Sequence, residues 1–235
     1  NVENQPKLLW YNLSKWENIL FKFLKLHKYK NQQLILNDIL KTPAELKSAT
    51  ERAINLLKGY IENISCENIK TELEPLGFTD GLGKDTNIIK NNLILLDKLL
   101  NSPDYISLKE FISSIPMIFN IAIISPHGYF AQEDVLGLPD TGGQVVYILD
   151  QVKALEKAMI DSIERTGLKI TPKIIVLTRL ITNAGNTTCN VRLEKINGTK
   201  NVWILRVPFR NSQGQILDDW ISRFEIYPYL ENFAD

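Results

Sequence analysis

Sulfur, imidazole and excess charge are all scarce in this chain. Its 235 residues hold two cysteines, two histidines and two methionines. Neither Cys66 nor Cys189 sits in a bridge-like or C-x-x-C spacing, and there is no Cys/His cluster or H-E-x-x-H, so no metal is called for. Two histidines and no G-x-S-x-G elbow leave little for serine–histidine–acid catalysis. The 27 basic and 27 acidic residues cancel. That counts against nucleic acid or an anionic membrane as partner, since both select a basic excess. No apolar run reaches the ~18 residues of a transmembrane segment. Asn1-Val2-Glu3-Asn4-Gln5 lacks the charged-then-apolar layout of a signal peptide. A reduced, cytoplasmic setting follows, with the sequons at Asn12, Asn63, Asn186 and Asn197 read as chance matches.

What is present is an ordinary globular mixture, 44% hydrophobic and 23% charged. The length suits one large domain or two modest ones. Residues 1–116 read as helical throughout. Leu9, Leu13, Trp16, Leu20, Phe23 and Leu24 recur at helical spacing between Leu8 and Lys25. Thr42-Pro43-Ala44-Glu45 is a helix start, with a capping threonine, proline at the first position and glutamate closing a capping box. Leu46, Ala49, Ala53, Leu57 and Tyr60 follow on one face. A further helix over 86–101 aligns Ile89, Leu93, Leu96 and Leu100. Ser107-Leu108-Lys109-Glu110 reads as a second capping box.

Past Pro116 the period changes. Phe119–Ser125, Lys173–Thr178 and Val202–Val207 are short apolar runs of buried-strand type. Between the first two, Val146, Leu149, Val152, Leu155 and Met159 predict a helix over about 143–164. The overall class is therefore mixed: an all-α domain over 1–116, then over 117–235 the first strands of a doubly wound, parallel α/β domain. A fold of that kind has about six strands, so this one reads as incomplete.

Ligands of open α/β sheets bind beyond the carboxyl ends of the strands. Here the first strand-to-helix connection is long and ends in Asp140-Thr141-Gly142-Gly143-Gln144. Two glycines at a helix start let a ligand approach the backbone, and the free first-turn N–H groups suit an anion such as phosphate. The alternative is a tight turn capped by Asp140 or Thr141. The G-x-G-x-x-G dinucleotide spacing is absent. Gly81-Leu82-Gly83-Lys84-Asp85-Thr86 fails as a P-loop, because Phe78 and Asp85 stand where glycine and Ser/Thr are needed. It reads as an inter-helix loop. His127, two residues past the first strand, is a candidate ligand-facing group, whereas His27, among Lys25, Lys28 and Lys30, reads as a solvated helix end. Arg179, Arg192, Arg206 and Arg210 follow or border the later strands, some able to face the cleft and most read as solvated or paired.

At this loop a family resemblance appears. Ser125-Pro126-His127-Gly128-Tyr129-Phe130-Ala131-Gln132-Glu133 and Leu138-Pro139-Asp140-Thr141-Gly142-Gly143-Gln144-Val145-Val146-Tyr147 closely resemble sucrose synthase. The likeness continues through Thr178-Arg179-Leu180, Arg192-Leu193-Glu194-Lys195, Ile204–Arg210 and Trp220–Glu225. It reaches back to Leu36-Asn37-Asp38 and Ile115-Pro116-Met117 in a helical domain similar to the family's peptide-binding and assembly domain. Thr182-Asn183, Asn190-Val191 and Tyr227 depart from the plant pattern and look like a bacterial-type branch.

The resemblance implies a retaining, GT-B-type glycosyltransferase that needs no metal or other cofactor. Its reaction interconverts sucrose plus UDP or ADP with nucleotide-glucose plus fructose. It places the Gly142 and Gly143 amides against diphosphate and glucose, with His127 and Gln144 beside the sugars, and implies a homotetramer. The rest of the first Rossmann domain and a second one, bringing a diphosphate-clamping Arg and Lys and a ribose-holding Glu, are then expected elsewhere. The start at Asn1 and the stop at Asp235 read as edges of a longer protein, and this chain alone is expected to be inactive. The alternatives are a non-catalytic helical assembly module with a vestigial sugar loop, or part of a sucrose-phosphate synthase, which shares the D-T-G-G-Q core.

Overall fold

The computed structural model describes residues 12–60 and 64–233. Leu8 and Leu9 of the expected first helix, the Asn63 sequon, the Cys66 side chain and both chain ends lie outside the described residues. The chain groups into two units, Asn1–Met117 with Asp161–Ile170, and Ile118–Ile160 with Thr171–Asp235.

Capping places the helices of the first unit. The Asn12 carboxamide accepts the Lys15 N–H and starts α1 (Leu13–Leu26), which buries Trp16, Leu20, Phe21 and Leu24. Pro43 opens α2 (Pro43–Leu57) beneath a complete Thr42–Glu45 capping box. Asp85 caps α4 (Thr86–Asn101), which packs against α2 and α5 (Tyr105–Ser114). Leu46, Ala53, Leu93, Leu96 and Leu100 are fully enclosed, and each such leucine contributes about 1.5–3 kcal/mol. The segment before α4 joins two helices, with one 3-10 turn over Asp80–Leu82 and the Leu82 carbonyl held by Asn92.

Three sequence expectations are corrected here. The first unit is not helical throughout. Besides the short α3 (Cys66–Leu73), it carries a hairpin of β1 (Lys28–Tyr29) and β2 (Gln32–Gln33). The hairpin turns on Lys30 and Asn31, both at positive φ, as a two-residue primed turn requires. His27 is buried rather than solvated, 8% exposed, because its carbonyl accepts the Leu34 N–H and the hairpin closes over the helix end. Ser107 does not begin α5. Asp104 does, its carboxylate accepting both the N–H and the hydroxyl of Ser107.

The second unit is a four-stranded sheet in the order β3-β4-β6-β5. Here β3 is Asn120–Ser125, β4 Lys173–Leu180, β5 Leu193–Lys195 and β6 Val202–Pro208. The first three strands of that order run parallel, with Ser125 beside Thr178 and Thr178 beside Arg206, while β5 is an antiparallel edge. α6 (Gly142–Thr166) crosses from β3 to β4 and packs Val145, Ile148, Leu149, Val152 and Met159 onto Ile174, Val176, Val202 and Ile204. Val145 faces the core and Val146 is 46% exposed, the reverse of the predicted stripe. Helical spacing from Leu149 accommodates either valine. β4 and β6 alternate between buried and half-exposed positions, and β3 between half-buried and exposed ones up to the buried Ser125, with Ile124 58% exposed, rather than being covered on both faces.

Candidate functional site

β3 delivers the chain to its carboxyl end at the buried Ser125, and residues 126–141 then form a folded loop rather than a slack connection. Phe130 and Ala131 are fully buried and Val135 nearly so, which anchors the loop on the sheet. The Thr141 hydroxyl donates to the carbonyls of Val135, at 2.9 Å, and Leu138. Positive φ at Gly128, Asp134, Gly137, Asp140 and Gly142 shows how often the backbone must enter the left-handed region to double back.

This folding brings the predicted site residues together. His127, Gly142, Gly143 and Gln144 line one open pocket of about 440 Å³ with Leu138, Asp140, Thr141 and Arg223. The capped-turn alternative fails on geometry. The Thr141 hydroxyl donates back into the loop, the Asp140 carboxylate accepts the Arg223 N–H at 3.1 Å with the Arg223 Nε 4.0 Å away, and neither side chain accepts a first-turn N–H of α6. Among the described residues, no side chain takes up the first-turn amides of α6. Both glycines are exposed, and a Cβ built on either would meet nothing within 4 Å. Two amides, a helix dipole and open space suit an anionic group that must approach closely. His127 is half-buried, with its Nδ1 enclosed and, among the described residues, without a hydrogen-bond partner.

Arg223 and its tie to Asp140 carry no motif logic, and sequence reasoning did not single them out as site residues. The other arginines divide. Arg179, 2% exposed, donates to the carbonyls of Leu217 and Asp219 and stacks over Phe209. Arg206 is fully buried. Arg192 and Arg210 border a separate pocket of about 440 Å³ beside the ends of β4 and β6. Tyr129, Asp134, Leu138 and Asn183 to Thr187 line a larger one, about 800 Å³. Among the described residues, no group of three or more His, Cys, Asp or Glu is placed to hold a metal ion, and no helix is long and apolar enough to cross a membrane.

A helical unit followed by a mostly parallel sheet, with a Gly-Gly helix start beyond its first strand, is the architecture of a Rossmann-like α/β domain, and the family match makes it the first domain of a GT-B glycosyltransferase. The family models agree: "Sucrose synthase first GT-B domain" matches residues 106–235 and "Sucrose synthase EPBD domain" residues 7–84. The chain belongs to the sucrose synthase family. It is 61% identical over 227 residues to a sucrose synthase of Melioribacter roseus, covering 97% of this chain and 29% of that protein. It is 50% identical over 229 residues to one of Thermosynechococcus vestitus, covering 96% and 28%. With sucrose synthase 3 of Arabidopsis thaliana it shares 47% over 215 residues, covering 92% and 26%. The chain thus spans under a third of the length of these relatives.

Proposed function

We propose that the pocket at the start of α6 is one wall of a sucrose synthase active site. The reaction transfers a glucosyl group reversibly between sucrose and UDP or ADP, with retention. The observation that carries this reading is the convergence of His127, Gly142, Gly143 and Gln144 around first-turn amides that no side chain among the described residues caps. In the cleavage direction the bond from glucose C1 to the fructose oxygen breaks, and a terminal phosphate oxygen bonds to C1 on the same face. The phosphate proton passes to the fructose oxygen. The Gly142 and Gly143 amides stabilise the diphosphate where charge changes during transfer, which is electrostatic rather than nucleophilic catalysis. His127 and Gln144 orient the sugar hydroxyls. No paired-carboxylate chemistry is required.

The same reading makes the reaction independent of metal ions, the assembled enzyme a homotetramer and its setting the cytoplasm. The chain spans 29% of its Melioribacter roseus relative, and the same reading assigns the cationic clamps on the diphosphate to a further domain. Support for the sucrose-phosphate synthase alternative is weaker, since both matching family models are of sucrose synthase. The test is nucleotide-dependent release of fructose from sucrose by a full-length enzyme carrying this chain, with UDP and ADP compared and EDTA present. Turnover with either nucleotide is expected, and none with both would overturn the proposal.

A further inference from the structure

Arg206 occupies the interior of β6 with no exposed surface. Removing a guanidinium from water is costly, and an apolar side chain would serve the core as well. Its hydrogen bonds give it another use. Nη2 and Nε donate to the Phe130 carbonyl at 2.8 and 3.3 Å, and Nη1 donates to the Val191 carbonyl at 2.7 Å. Nη2 also reaches Glu194 Oε2 at 2.7 Å. Glu194 in turn accepts from Thr188 at 2.7 Å and from Gln132 Nε2 at 2.5 Å. The Gln132 amide is fixed at both atoms, since Nε2 also donates to the Lys195 carbonyl and Oε1 accepts the Asn197 N–H at 2.6 Å.

These contacts fasten the His127 loop to the sheet at two points, the carbonyl of Phe130 and the side chain of Gln132. Among the described residues the imidazole has no comparable tether, and its enclosed Nδ1 has no hydrogen-bond partner. Its place is therefore set by the backbone on either side of it. We propose that Arg206, Glu194 and Gln132 act as positioning residues that hold residues 127–132 so that the His127 ring stands in the pocket beside Gly142 and Gly143. That this placement matters for glucosyl transfer rests on the function proposed above; the positioning itself does not.

In a full-length enzyme carrying this chain, imidazole proton NMR reads His127 once its signal is assigned by its loss in His127→Gln, with His27 of the helical unit, assigned in the same way, as internal reference. Gln132→Ala removes the amide while leaving Arg206 paired with Glu194. The expected result is a displaced or split His127 signal and an unchanged His27 signal. Arg206→Met combined with Glu194→Leu substitutes an apolar pair for the buried ions, an exchange cores often tolerate. The expected result is a folded chain, its thermal midpoint near wild type, with the same displacement of His127. A His127 signal unmoved in either folded variant would reduce the network to core packing and overturn the proposal. Should the double variant not fold, Gln132→Ala decides alone. The readout needs no substrate, so its failure is distinguishable from failure of the sucrose-cleavage assay.

Discussion

Gly128 lies so close to Asp140 that a Cβ on the glycine would stand 2.3 Å from the Asp140 carbonyl oxygen. The two ends of the loop after β3 are therefore pressed backbone to backbone, which sets His127 and Gly142–Gly143 in one pocket. Gly128 also has φ +66°, a left-handed conformation. Gly143 is the opposite case, with an ordinary φ and open space where its Cβ would be.

Gly128→Ala is consequently expected to break the loop closure. The backbone strain alone costs about 1–3 kcal/mol, and the contact with Asp140 adds to it because neither atom is at the end of a flexible side chain. Chemical denaturation should report the loss, and protease cleavage within 128–140 should accelerate. A variant as stable as wild type would mean the loop is not closed in this way.

His27 gives the helical unit a pH dependence. Burial pushes its imidazole below the ordinary value of 6.5, partly opposed by a hydrogen bond with the Pro116 backbone. Between that lowered folded value and about 6.5 the unfolded chain binds a proton that the folded chain does not. Stability therefore falls as pH drops through this window and levels off below it. His27→Gln should flatten that slope in thermal melts between pH 7 and 5; an unchanged slope would assign it to other groups.

The Thr42 cap is a local test of the helical unit. Its hydroxyl accepts the Glu45 N–H while Glu45 reaches back to the backbone of Lys41 and Thr42. Thr42→Ala removes the first half of this exchange and should cost about 1 kcal/mol, read as a lower denaturant midpoint at unchanged m-value.

Where the sequence carried a local physical signal, it was legible. Thr42-Pro43 placed α2, the apolar runs placed β3, β4 and β6, and Gly142-Gly143 at a helix start pointed to the pocket. What escaped was set by tertiary context. Two-residue strands such as Lys28–Tyr29 and Gln32–Gln33 show no period. At α5, Asp104 three residues before Ser107 competed for the cap and won. Val145 and Val146 fit the helical stripe equally, and only packing chose between them. Arg206 had a faint signal, since it shares the inward period-two face of β6 with Val202 and Ile204, yet a charged residue there reads as a border until its partners Phe130 and Glu194 are seen. The Asp140–Arg223 contact joins residues far apart in the chain, and nothing in either segment announces it.

The central claim is that a diphosphate meets the bare backbone at the start of α6. Gly143→Val tests it most directly, because the position tolerates a side chain structurally and the added methyl groups enter the space assigned to the ligand. In a full-length enzyme carrying this chain, the variant should keep the wild-type thermal midpoint. It should lose UDP- or ADP-dependent sucrose cleavage by about 100-fold or more, the scale of a lost transition-state donor. Wild-type turnover by a folded Gly143→Val enzyme would contradict the account.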